Sequence, residues 1–281
     1  MKHFFISVLI SLSLSSHIYA WDLLKPSGSR TTSLANCSVA LSDFWSCHNN
    51  PAGIASQKEV SIGISYQNQF MLKELGYKNA GLLYPFKIGV ITVTASQFGY
   101  NLYNENIIGL GLARNFGDKL RIGLKLDYLF FKFPEDYENR SVPTFELGIQ
   151  YQISNSICLG TYIFNPINVK LRTINKDKIP IIMRLGFSYF VNKDFMITSE
   201  IEENFEYDFS YRFGLEYEIY KNIFLRSGFQ FKPELFTFGI GYNYEWCVID
   251  ICAQMNQTLG TSLDCCFIFK IKRKDQSGGI K

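Results

Sequence analysis

Histidine and cysteine are the residues of this chain from which nucleophilic, acid–base or metal chemistry could be built. The 281 residues include three histidines, His3, His17 and His48, and seven cysteines. Hydrolytic enzymes commonly activate a nucleophile or a water with histidine, yet no strand-like segment here contains one. His48 is therefore expected to make a structural hydrogen bond. Phosphate loops and dinucleotide fingerprints are also missing, so the sequence predicts a protein that is not an enzyme and uses no cofactor.

The cysteines fit two interpretations. Cys37 and Cys47 lie ten residues apart in one segment and could form a disulfide in an oxidising compartment. The interpretation that we favour treats all seven cysteines as small apolar side chains that fill space. A zinc site at Cys37, Cys47 and His48 would lack a fourth ligand at the usual spacing, so no metal site is predicted.

Composition excludes several classes of protein. Hydrophobic residues make up 47% of the chain and charged residues 19%, which is too apolar for a disordered protein. No apolar run of helix-spanning length occurs after the first twenty residues, which excludes a bundle of membrane helices. A net charge of +3 is too mild to indicate a nucleic-acid partner.

The N-terminus resembles a secretory signal peptide. A basic start at Lys2 precedes an apolar and serine-rich stretch over 4–14, and Ala20 offers a small residue for cleavage. The apolar stretch is too short for a retained membrane anchor. We therefore expect residues 1–20 to be removed and the mature chain to start at Trp21.

From residue 59 onward, apolar and polar residues alternate with the period of a β-strand. In 145–153, for example, one face is entirely apolar and the other contains Glu146, Gly148, Gln150 and Gln152. The alternation predicts fourteen strands, at 59–70, 74–84, 87–99, 105–116, 119–133, 142–154, 156–165, 179–191, 194–205, 208–220, 222–232, 235–245, 247–256 and 261–272.

These strands favour a membrane barrel over a soluble sandwich. The apolar faces of 120–130, 145–153 and 209–219 carry no charge, whereas the polar faces are rich in glycine, glutamine and paired opposite charges, as the lumen of a barrel is. Only a closed barrel satisfies every backbone group of a sheet in lipid. The prediction is an all-β fold, a fourteen-stranded antiparallel up-and-down transmembrane barrel over 59–272, in the lipid of the outer membrane of a Gram-negative bacterium.

Connection lengths orient the predicted barrel. Tight links such as 84–87, 153–156 and 191–194 alternate with longer ones such as 134–141 and 166–178. Periplasmic turns are short and external loops long in outer-membrane barrels. Both termini are therefore expected on the periplasmic side, with residues 273–281 as a periplasmic tail.

A barrel of this width must be plugged or conduct water, because its own side chains cannot fill it. Residues 21–58 are the predicted hatch or plug, and the spacing of Leu34, Cys37, Leu41 and Phe44 predicts one short helix around 33–45. A periplasmic extension that never enters the lumen is the alternative.

Charged residues on the polar faces are nearly balanced in sign. A selective pore would need a ring of one sign, so cross-strand pairs that stiffen the wall and hold the plug are favoured over a substrate path. The predicted lumen charges include Arg121, Lys125, Asp127, Glu146, Arg184, Arg212, Glu216 and Arg226.

The N-terminal segment also resembles a known signature. The stretches 28–30 and 34–40, Trp45 and the run Asn50-Pro51-Ala52-Gly53-Ile54 look like the start of the FadL-type outer-membrane transport family, and more closely like its PorV and PorQ relatives. The stretch 103–111 resembles the middle strands of the latter. The likeness is specific over about 30 N-terminal residues and diffuse elsewhere.

This resemblance implies a function. Asn50, Pro51 and Ala52, with Gly53 and Trp45, would form the gating corner of a hatch beside a kinked third strand. A small hydrophobic compound would leave there for the bilayer. The alternative is a PorV- or PorQ-like accessory of type IX secretion, which holds cargo or translocon proteins at the outer membrane.

Two departures from the family pattern weaken the transport interpretation. The predicted third strand, 87–99, lacks a proline to kink it, and the external loops are short.

Overall fold

The computed structural model describes residues 24–133, 139–170, 179–205 and 209–271. The predicted signal peptide and tail lie outside these residues, as do parts of three loops, so the predictions made for them stay predictions.

Fourteen antiparallel strands close into one barrel, in which each strand pairs with the next and β1 pairs with β14. This confirms the predicted fold, and the strand ends agree with prediction to within three residues. The strands are β1 Val60–Asn68, β2 Gly76–Phe86, β3 Gly89–Gly99, β4 Asn104–Phe116, β5 Leu120–Lys132, β6 Arg140–Gln152, β7 Ile157–Phe164, β8 Ile182–Phe190, β9 Phe195–Asn204, β10 Ser210–Tyr220, β11 Ile223–Phe231, β12 Leu235–Asn243, β13 Cys247–Asn256 and β14 Gly260–Ile271.

The barrel has an apolar outside and a largely polar inside. On β10, Tyr211, Phe213 and Leu215 are exposed, whereas Arg212 and Glu216, which alternate with them, are buried in the lumen. Large apolar side chains are exposed in this way around the whole wall. An apolar exterior of this kind suits lipid and not water.

The two ends of the barrel differ. One end, here called the turn end, carries the tight connections that follow even-numbered strands, such as Lys87 and Ile88 between β2 and β3. The other, the loop end, carries the connections after odd-numbered strands, including the short 3₁₀ helices Gln69–Met71 and Lys73–Leu75. Among the described residues, no helix is both long and apolar enough to cross a membrane.

Residues 24–58, here called the lumen segment, contact inward-facing residues of the wall. They form two short helices, α1 (Ser29–Ser33) and α2 (Ser46–Asn49), and a 3₁₀ helix at Pro51–Ser56. The predicted helix around 33–45 is wrong. Ala35 and Asn36 adopt positive φ angles of 54° and 66°, which a right-handed helix does not allow.

Candidate functional site

Four cross-strand pairs of glycines line the inside of the barrel wall. Each pair consists of two residues directly opposite each other on neighbouring strands. The pairs are Gly63–Gly81, Gly123–Gly148, Gly160–Gly186 and Gly214–Gly228. They leave gaps in the layer of side chains that otherwise coats the lumen.

The lumen segment occupies all four gaps. Phe44 lies against the first pair, Asn50 and Pro51 against the second, Val39 against the third and Leu34 against the fourth. A Cβ atom added to Gly123 would meet the backbone of Pro51, and one added to Gly148 would meet the Asn50 amide. The glycines therefore permit a close approach between segment and wall, a role that was not predicted from the sequence.

The residues of the predicted gating corner come together. The Asn50 Nδ2 donates to the carbonyls of Val39 (2.6 Å) and Thr161 (3.3 Å), and its Oδ1 accepts from the Ala52 N–H. Pro51 starts the 3₁₀ helix. Asn50 thus ties this corner to both the segment and β7.

Trp45 and Gly53 pack within the same segment. The Trp45 ring lies over Gly28, and Gly53 sits against the Leu41 carbonyl, where a Cβ would lie 2.5 Å from the oxygen. Both residues are buried.

The position of this corner differs from that implied by the resemblance. The 3₁₀ helix Pro51–Ser56 packs mainly against β4, β5 and β6 and touches β3 only slightly. Strand β3 pairs without interruption from Gly89 to Phe98 with β2 and from Val90 to Gly99 with β4. The third strand therefore lacks the kink that the resemblance implies.

Glu200 on β9 binds the lumen segment through its backbone. Its Oε2 accepts from the N–H groups of Ser38 (2.6 Å) and Val39 (2.7 Å), while Oε1 pairs with Arg212 at 2.8 Å. Glu202 completes the cluster by pairing with both Arg212 and Arg184. Each charge in this buried group has an opposite partner, which a buried charge requires.

A second chain of ion pairs starts in the lumen segment. Arg30 donates to both oxygens of Glu216, at 2.6 and 2.7 Å, and also pairs with Asp43. Glu216 accepts in turn from Arg226, which also pairs with Asp250. Burial alone would lower the pKa of Arg30, but the carboxylates of Glu216 and Asp43 raise it above its usual range. The Arg30 guanidinium therefore stays charged in this contact.

The remaining predicted lumen charges lie on β5 and β6. Lys125 pairs with Glu146 at 3.0 Å and with Asp127 at 3.5 Å, and it donates to the Cys47 carbonyl. Arg121 donates to the hydroxyl of Ser42 and to the amide oxygen of Gln150, but it has no carboxylate partner among the described residues.

Cys37 and Cys47 are free thiols in the structure, and the disulfide that their spacing allowed is not formed. Cys37 packs with Leu34, Leu41 and Met196, whereas Cys47 belongs to a separate cluster around Phe44 and Trp45. Burial raises the pKa of Cys37, and it raises the pKa of Cys47 to about 12. Both thiols act as apolar packing groups.

His48 makes structural contacts in the lumen. Its ring nitrogens face the Ala80 carbonyl (3.1 Å) and the Ser96 hydroxyl (3.3 Å). Burial, with the nearby Lys125, lowers the pKa of His48 to about 3, so the ring is neutral. The described residues contain no group of His, Cys, Asp and Glu that could hold a metal ion.

One part of the lumen was not predicted from the sequence. Near the loop end of β2 to β8, most inward side chains are apolar and pack on one another, with Glu105 as a buried exception. This apolar chamber consists of Tyr77, Phe98, Ile107, Leu129, Phe131, Val142, Tyr162, Phe164 and Ile182, with Leu24 of the lumen segment packed against it. Stretches that are apolar on both faces, such as Tyr128 to Phe131, are the signal that could have revealed it.

Below the chamber is a cavity of about 30 Å³, lined by Leu24, Ile107, Lys125, Tyr162 and Phe164 among others. A space of this size holds one or two waters. The lumen is thus nearly filled between the chamber and the lumen segment.

No protein-family model and no curated protein matches this chain. Solved structures do match its fold. The toluene transporter TbuX of Ralstonia pickettii has a TM-score of 0.67 and 12% identity, over 89% of this chain and 99% of its own. The toluene transporter TodX of Pseudomonas putida has a TM-score of 0.68 and 8% identity, over 88% and 98%.

A third similar structure is a FadL homologue of Pseudomonas aeruginosa, with a TM-score of 0.61 and 10% identity over 87% of this chain and 97% of its own. At such low identity these likenesses show the fold alone. They agree with a FadL-type barrel, while the closer relation to PorV and PorQ stays a prediction.

Proposed function

We propose that this protein is a transporter of the Gram-negative outer membrane that passes a small hydrophobic compound through its lumen. The apolar chamber is the observation that carries the proposal. Inward side chains of a membrane barrel normally face water or a polar plug. A cluster with Phe98, Ile107, Leu129 and Phe164 facing inward at the loop end is suited to an apolar ligand.

The fold supports the same proposal, because two similar structures are described as toluene transporters. We place the loop end outside the cell and the turn end in the periplasm. The compound would then enter the chamber from outside, directly beneath the loops.

The lumen segment acts as the gate in this proposal. A dry cavity that binds benzene in a protein measures about 150 Å³, much more than the cavity of about 30 Å³ beneath the chamber. Passage therefore requires the segment to shift. The parts that would move are Leu24 and the corner formed by Asn50, Pro51 and Ala52. Release of the compound into the bilayer would follow this movement.

The test compares two tryptophan substitutions at the loop end of the lumen. Ile107→Trp fills the apolar chamber, whereas Ser210→Trp adds the same bulk to the polar side, where the Ser210 hydroxyl has no hydrogen-bond partner among the described residues. Uptake of labelled toluene by cells that carry each variant is measured against cells without the protein. Ile107→Trp should abolish the additional uptake and Ser210→Trp should retain most of it. Equal uptake by the two variants would refute the chamber as the path.

The secretion accessory is the second candidate, and the unbroken pairing of β3 with β2 and β4 favours it. Apolar side chains on the loops, including Met71, Leu102 and Ile167, are more than half exposed and could contact a secreted protein. Replacing all three with serine should impair display of secreted cargo and leave toluene uptake unchanged if this candidate is correct.

A further inference from the structure

A second recess opens at the turn end of the lumen, on the side opposite to the apolar chamber along the barrel axis. Its volume is about 470 Å³, within the range of pockets that bind small molecules. Part of its lining is apolar and includes Leu41, Phe190 and Met196. The facing part is polar and includes Ser42, Gln152 and Arg121.

Arg121 differs from the other arginines that line the lumen. Arg30, Arg184, Arg212 and Arg226 each form ion pairs with carboxylates. Within the described part of the chain, Arg121 makes only two hydrogen bonds, both from Nη1, to Ser42 at 2.7 Å and to Gln150 at 3.3 Å.

The unused donors of Arg121 form a fork. A guanidinium has five N–H groups, and those on Nε and Nη2 have no acceptor among the described residues. Two parallel N–H groups of this kind match the two oxygens of a carboxylate. Arg30, which lines the same recess, has its fork occupied by Glu216, so Arg121 supplies the only such fork that the described lining offers.

We propose that this recess binds a small organic anion, a carboxylate attached to an apolar body. The carboxylate is held by the Nε and Nη2 groups of Arg121, and the apolar body lies against Leu41, Phe190 and Met196. The two Nη1 bonds hold the guanidinium in place. This site does not depend on the transport path proposed above, because it lies at the other end of the lumen.

Benzoate is the probe that tests the site, and benzamide is its neutral counterpart of the same shape. Binding of each is measured by titration calorimetry on the full chain in an uncharged detergent. Arg121→Gln removes the fork, and Arg114→Gln is the matched control. Arg114 belongs to the same β4–β5 hairpin and lies outside the recess, with its guanidinium over the Phe116 ring.

The wild-type protein and Arg114→Gln should bind benzoate with equal affinity, and Arg121→Gln should weaken binding about tenfold or more. The wild-type protein should bind benzamide no more tightly than the Arg121→Gln variant binds benzamide. No saturable benzoate binding by the wild type, or equal binding of benzoate and benzamide, would overturn the proposal. If Arg121→Gln does not fold, Arg121→Lys serves as the test variant, because lysine keeps the positive charge and lacks the two parallel N–H groups. An unchanged affinity of this variant for benzoate would overturn the proposal.

Discussion

The lumen has two unlike sides at the loop end. Along β2 to β8 the inward side chains are mostly apolar and pack on one another around Ile107 and Leu129. Along β9 to β14 they are polar or charged and bind the lumen segment, as Thr237 does through the Ser33 carbonyl (2.7 Å) and Gln230 through the Asn36 amide (3.1 Å). At this end, the first side meets the segment mainly through apolar packing, and the second fixes it mainly through directed bonds.

The two sides of the lumen are suited to different roles because their contacts differ in kind. Directed bonds tolerate little displacement, because each broken contact leaves a buried polar group unpaired. Apolar packing has no such requirement and can exchange one apolar neighbour for another. We infer that the polar side anchors the segment and that the apolar side accommodates the ligand.

The largest effect is expected from the polar side. Replacing Arg212 and Arg226 with alanine leaves Glu200, Glu202, Glu216 and Asp250 short of a partner. Each arginine substitution should lower the free energy of unfolding by about 3–5 kcal/mol, because it leaves buried carboxylates without an opposite charge. Unfolding in urea measures this change, and the single-channel conductance should change little. Arg114→Ala, which removes an arginine from outside the lumen, should change neither. Raised conductance at unaltered stability would mean that these charges line a path.

A cavity made on the apolar side should be filled by ligand. Leu129 is fully buried, and Leu129→Ala should cost about 2–5 kcal/mol of stability. Toluene should restore part of this loss, because apolar cavities stay dry and bind such compounds. Thr237→Ala makes a cavity on the polar side and should gain nothing from toluene. If toluene stabilised both variants equally, the two sides of the lumen would not differ in their ability to bind an apolar ligand.

A smaller effect is expected where the segment meets a glycine pair. Gly148→Val places side-chain atoms on Asn50 and should cost about 1–3 kcal/mol through overpacking. It should also raise single-channel conductance and expose Cys47 to maleimide. Gly111→Ala is the control, since its neighbours, such as Thr92, belong to the wall. Normal conductance in the Gly148 variant would show that the segment can move within a closed lumen.

An effect of pH is expected only in acid, so it is the smallest of the four near neutrality. The pKa of His48 is about 3 in the folded protein, against an ordinary value of 6.5, so the unfolded chain takes up the proton first. The stability that the neutral ring contributes is complete above about pH 6.5 and is lost as pH falls towards 3. His48→Gln should remove up to about 1.4 kcal/mol per pH unit from the slope in this range. Identical slopes for wild type and variant would mean that the ring is solvated.

Strand periodicity was sufficient to predict the barrel, because each strand shows its apolar outer face directly in the sequence. It was not sufficient to predict the interior, because the conformation of the lumen segment depends on contacts between residues far apart in the sequence. The helical spacing of Leu34, Cys37, Leu41 and Phe44 was misleading. The first three do share one cluster, but Ala35 and Asn36 leave the helical conformation, and Phe44 lies in another cluster against a different glycine pair. The apolar chamber was missed because its inward residues, such as Leu129, interrupt the alternation only over short stretches.

The glycine pairs also bear on how the molecule is assembled. They lie on β1–β2, β5–β6, β7–β8 and β10–β11, so the segment fits recesses spaced around the circumference. Residues matched to opposite walls are difficult to thread into a finished ring. We therefore expect the sheet to wrap around a segment that is already in place, with the pairing of Val60–Asn68 and Leu263–Ile271 as the final step. The segment would then serve as a template that sets the diameter of the closed barrel.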